Sequence, residues 1–160
     1  VVKRAVGGVF FIDEAYSLMG DNFGQEATNT ILPMLLDYKG KMVCIAAGYP
    51  REIRQWIDTN SGLESRFTKV IHFEDYNPDE LAQIFRKKDK LTLTPEAENA
   101  MRVYFTDLYN RRERNFANAR EVNNYFDRVK KNHSSRLRHE MERPGFDPAS
   151  YSILLPEDMG

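Results

Sequence analysis

Four consecutive apolar residues, Val9 to Ile12, run straight into two carboxylates, Asp13 and Glu14. Short β-rich runs return at Met42 to Ala47 and at Lys69 to Phe73, and helical spacing fills the gaps, from about Gln25 to Tyr38 and around Glu52 to Ile57. This alternation predicts a parallel α/β sheet. The strands are almost continuously apolar, which predicts helices over both faces of the sheet. Pro33 falls inside the first helical pattern, where its missing N–H and its ring should kink or split the helix.

After Phe73 the strand signals stop. Asn77, Pro78 and Glu80 have the spacing of an N-cap, a first helical position and a capping-box partner, and Leu81, Ile84 and Phe85 form the apolar face of the helix they open. Thr94-Pro95 begins a second helix, with Ala97, Ala100, Met101, Tyr104, Phe105 and Leu108 on one side. A third starts near Asn118, again with a glutamate three residues on at Glu121, and continues through Val122, Phe126 and Val129 towards Leu137. The stretch ERPGFDPAS reads as a loop, and YSILLPEDMG as a short strand or a packing tail. Three segments result: 1–76, 77–142 and 143–160.

Composition suits a globular chain: 160 residues, 41% hydrophobic and 29% charged. A net charge of −1 gives no global field for nucleic acid or an anionic membrane. The basic runs NRRERN and RVKKNHSSRLRHE interleave acids and lack aligned stacking aromatics, so they read as solvated helix faces and nucleic acid is not an expected partner. Cys44 is the single cysteine, which excludes an intrachain disulfide framework. His72, His133 and His139 are scattered without metal-ligand spacing, so surface or helix-packing roles suffice. No apolar stretch approaches the roughly 18 residues of a membrane helix, and no signal-peptide pattern opens the chain, so a cytoplasmic protein without membrane partners is expected.

The chemistry starts at the first strand. Ligands of open parallel sheets bind beyond the carboxyl ends of the strands, where Asp13 and Glu14 stand. Adjacent residues of a strand point to opposite sides, so two neighbours can take separate tasks. An apolar run ending in Asp-Glu is the Walker B pattern, in which the aspartate supports Mg²⁺ on a nucleoside triphosphate and the glutamate polarises the attacking water. A strand simply leaving for solvent reads the same way. Arg66 follows a short helical pattern and precedes the run at Lys69, so it should project from the edge of the sheet domain; Glu64 and Asp75 are its alternative ion-pair partners. Arg120 sits in the first turn of the third small-domain helix, where the helix dipole disfavours a cation. It wants an anion, either Glu113 or Glu121, or a phosphate.

The segments GGVFFIDEAYSL, FGQEA, AAGYP, GLESRF, IHFEDY and NFANAR, in this order from residue 7 to about 130, resemble the AAA+ ATPases, closest to the branch of stage V sporulation protein K and the CbbX-type red Rubisco activases. The resemblance implies an α/β fold: the C-terminal half of a parallel-sheet AAA+ large subdomain, then an all-helical lid. It makes Asp13 and Glu14 the Walker B pair, with Asp13 at the metal, Arg66 the arginine finger and Arg120 the sensor-2 arginine, and it places Asn118 and Tyr49 at nucleotide-facing positions. ATP and Mg²⁺ are the implied ligands. The implied protein is a chaperone-like ATP hydrolase that works as a ring of its own copies, commonly a hexamer, and remodels a protein client of unknown identity.

Departures from the pattern matter. Gly48 and Tyr49 stand where many AAA+ proteins have Thr-Asn as sensor 1, and Val122-Asn123-Asn124 follows Arg120 without a second arginine. No Gly-rich phosphate loop is present, since Gly40-Lys41 is followed by Met42 and has Leu35 at the first glycine position. The family's phosphate loop and pore loop would lie before Val1. The chain is therefore expected to be the C-terminal part of a longer ATPase and to be inactive alone. The alternative is a non-catalytic, AAA+-derived oligomerisation or adaptor module.

Overall fold

The computed structural model describes residues 2–113 and 116–160. The chain divides after Phe73 into two compact units, and each has its own hydrophobic core.

In the first unit, β1 (Val9–Ile12) and β2 (Val43–Ala46) pair in parallel, with Val9 opposite Val43 and Ile12 opposite Ala46. The connection between them is α1 (Asn22–Asp37), as parallel neighbours require a crossover. The helices α2 (Pro50–Asp58) and α3 (Ser61–Arg66) follow β2. Asp21 caps α1 by accepting the Gly24 N–H at 2.7 Å, and Asn60 caps α3 by accepting the Gly62 N–H at 2.8 Å. The core gathers Ala15, Leu32, Trp56, Ile57 and Leu63, with Ile12, Tyr16 and Ala46 packed against it.

Three expectations change here. Only one face of the sheet is covered among the described residues: Val9, Phe11, Val43 and Ile45, alternating along the two strands, remain 44–57% exposed. The run Lys69 to Phe73 joins no ladder, and Val70, Ile71 and Phe73 are open to solvent, because a strand forms only where a partner backbone takes its hydrogen bonds. Pro33 does not split α1, which continues to Asp37. Pro33 and Asn29 are both on the exposed side, so the Asn29 carbonyl that loses its donor can turn to water.

In the second unit, α4 (Pro78–Arg86) starts with the capping box foreseen at Asn77 and Glu80. The next helices are α5 (Pro95–Asn110), capped by Thr94, and α6 (Ala119–Met141). Leu81, Phe85, Met101, Phe105, Val122, Tyr125 and Val129 build the core, and the rings of Tyr104 and Tyr125 stack at 3.8 Å. The last residues belong to the same core. β4 (Ile153–Leu154) pairs in parallel with β3 (Thr92–Leu93), and Leu154 and Met159 are buried. Asp158 is buried too. Its carboxylate accepts from Arg136 through Nε and Nη2, both at 2.9 Å, and from the Leu155 N–H at 2.9 Å, with His133 Nδ1 at 3.3 Å. His133 thus has a helix-packing role.

Candidate functional site

Because β1 and β2 are parallel, their carboxyl ends lie side by side. The ladder continues past both strands: Ala47 N–H donates to the Ile12 carbonyl at 2.8 Å, and Ala15 N–H to the Ala47 carbonyl at 3.0 Å. Asp13 and Glu14 occupy the turn so created, and both are exposed. They follow β1 rather than alternate within it. Glu14 adopts the left-handed conformation, φ 50° and ψ 42°, which costs a residue with a Cβ about 1–2 kcal/mol.

Asp13 Oδ1 accepts the Glu14 N–H at 3.1 Å, and its second oxygen has no partner among the described residues. A hard, free carboxylate oxygen suits water-coordinated Mg²⁺. Among the described residues, no three His, Cys, Asp or Glu side chains could together hold a metal ion. The Glu14 carboxylate accepts a hydrogen bond from the Tyr16 hydroxyl. That bond, more than burial, pushes the phenol up to about 12. Tyr16 was not singled out from the sequence; its signal was its place two residues after the glutamate.

Tyr49 joins this end of the sheet as the N-cap residue of α2, with its ring 6.3 Å from that of Tyr16. A Cβ at Gly48 would stand 2.8 Å from Tyr16 Cδ1. The exit of β2 at Gly48 thus makes a close approach to the ring of Tyr16.

Arg66, expected to extend from the edge, instead lies back along the helices. Its Nε donates to the Leu32 carbonyl at 3.1 Å, and Nη1 to the Gly62 carbonyl at 2.8 Å and to Ser65 Oγ at 3.1 Å. Neither alternative carboxylate takes it: Glu64 faces Arg54, and Asp75 faces Arg112 and Asn118. Among the described residues Arg66 forms no ion pair, so its charge is held by neutral acceptors.

In the second unit Arg120 is exposed in the first turn of α6 and pairs with neither Glu113 nor Glu121 among the described residues. Asn118 does not cap this helix with its side chain, so the box suggested by Glu121 does not form. Its Nδ2 donates to Asp75 Oδ1 at 2.6 Å and its Oδ1 accepts the Tyr76 N–H at 2.8 Å, under a backbone with φ 48°. The amide ties the start of the unit to α6. Arg114 and Asn115, which belong to the NRRERN run and in part to NFANAR, lie outside the described residues, as does Val1.

Residues 77–160 match the AAA lid domain. The chain is 37% identical to Protein CbbX of Cereibacter sphaeroides over 99% of its own length and 53% of that protein. It is 38% identical to a CfxQ homolog of Guillardia theta, over 99% of the chain and 56% of that protein. With the chloroplastic ribulose bisphosphate carboxylase/oxygenase activase of Cyanidioschyzon merolae it shares 37% over 86% of the chain and 48% of the relative. The chain therefore spans about half the length of the curated relatives it matches. These relatives give the sporulation-protein side of the resemblance no support. No helix among the described residues is long and apolar enough to cross a membrane. The chain belongs to the AAA lid domain family, on the CbbX side of the AAA+ proteins.

Proposed function

We propose that these residues are the Walker B, arginine-finger and lid part of an ATP-hydrolysing protein remodeller that works in the cytoplasm as a ring, with six copies as the expected number. The observation that carries the reading is the placement of two exposed, adjacent carboxylates at the shared carboxyl end of a parallel ladder. Asp13 would hold Mg²⁺ through a coordinated water, and the cation would supply positive charge against the negative charge that develops on the phosphates. Glu14 orients and polarises the water that attacks the terminal phosphate. Arg66, a cation without a counter-ion among the described residues, reaches the nucleotide of the neighbouring copy and stabilises its transition state. Arg120, helped by Asn118, contacts phosphate in the same copy, and Tyr49 faces the nucleotide at the sensor-1 position.

Turnover belongs to the full-length protein, because residues 1–160 contain no Gly-rich phosphate loop. One relative's name, an activase of ribulose bisphosphate carboxylase/oxygenase, points to another enzyme as the client class. The test is ATP turnover by full-length Glu14→Gln and Arg66→Ala proteins. Each alone should lose about 10²-fold or more, with ATP still bound by the first. Mixing the two should restore part of the rate, because a site pairing intact Glu14 with a neighbour's intact Arg66 is then assembled. Undiminished turnover in Glu14→Gln rejects the reading, and no recovery on mixing rejects action between copies.

A further inference from the structure

We propose that Tyr16 is a positioning residue for Glu14: its hydroxyl holds one carboxylate oxygen so that the other is presented to the attacking water. The inference rests on the role given to Glu14 above. A glutamate at the exposed exit of a strand has freely rotating torsions, and ordering them costs on the order of a kcal/mol. Tyr16 supplies that order locally. It lies in the single 3-10 turn Ala15–Met19 that follows Glu14, and its hydroxyl donates to Oε2 while Oε1 has no partner among the described residues.

The ring is fixed independently of the hydroxyl. It packs against the hydrophobic core of its unit and over Gly48, where a Cβ would come within 2.8 Å of Cδ1 and 2.9 Å of Cε1. Any side chain at position 48 displaces the ring. The glycine in AAGYP, just before the sensor-1 position, thus makes room for the phenol that serves Glu14. The Glu14 bond also raises the phenol to about 12, so near neutral pH it remains a donor and never competes as a base.

The test compares full-length Tyr16→Phe, Gly48→Ala and Glu14→Gln proteins. Tyr16→Phe keeps the ring and removes only the donor. Its kcat should fall about tenfold, the worth of one hydrogen bond to a charged group, with the KM for ATP unchanged. Gly48→Ala should fall in the same sense. A second readout needs no nucleotide: in the 160-residue chain, the ¹³Cζ line that Tyr16→Phe deletes should titrate near 12 and move towards 10 in Glu14→Gln. An unchanged or raised kcat in Tyr16→Phe, beside an inactive Glu14→Gln, overturns the positioning role alone. So does a Tyr16 line titrating at the ordinary 10. An active Glu14→Gln overturns the reading of Glu14, and this proposal with it.

Discussion

Glu14 and Asn118 are, among the described residues, the non-glycine positions with clearly left-handed φ, at 50° and 48°. Both were candidate site residues on sequence grounds. Backbone held in a costly conformation persists where the surroundings fix it, and such positions cluster at functional sites. Gly24 is the reverse case, a glycine that the fold needs for space. It lies in the first turn of α1, and a Cβ there would meet Leu18 backbone atoms at 2.5, 2.8 and 2.9 Å. In an open helix, Gly→Ala gains about 1 kcal/mol of helix propensity. Here the backbone of the turn after Asp13 and Glu14 would have to move, at about 1–3 kcal/mol. The clash wins, so Gly24→Ala should lower stability in urea unfolding; a stabilised variant would show that the turn yields freely.

At the scale of elements, the helices of the second unit were legible because their signals are local. Asn77, Pro78 and Glu80 specify one start, and Thr94-Pro95 another, without help from distant residues. The run at Lys69 was misread because strand propensity says nothing about whether a neighbour is there to pair. Tyr16 and Gly48 were invisible as a pair for a related reason: their contact exists only once β1 and β2 align. The network that ties down β4 is also non-local. Burial alone would push the Asp158 carboxyl up, but Arg136, the Leu155 N–H and His133 hold it below its ordinary 3.8. A carboxyl depressed by folding adds stability above its unfolded value, and that stability disappears as pH falls through the folded value. The melting-temperature gap between the chain and its Asp158→Asn variant should therefore be wide at pH 6 and narrow as pH drops below 3.8. A gap independent of pH would remove Asp158 ionisation from the lid's stability.

For the whole molecule, the outstanding feature is apolar surface that the described residues leave uncovered. Parallel strands are ordinarily buried on both faces, yet Val9, Phe11, Val43 and Ile45 form a continuous open face, and Phe73 is itself 86% exposed. Isolated exposed hydrophobes need no explanation, but a contiguous face of four β-branched and aromatic side chains does. Burying such side chains gains about 25 cal/mol per Å² of apolar area, so two copies of the 160-residue chain can each cover the other's open face. The chain should accordingly associate at high concentration in sedimentation, and the extent should rise with salt rather than fall, since the contact is apolar. Phe11→Ser combined with Ile45→Thr should shift it towards monomer while Asp13 and Glu14 stay in place, because both substitutions point away from the side packed on α1. A chain that remains monomeric at high concentration with its native face would mean that this surface is too broken by the strands' polar edges to drive association.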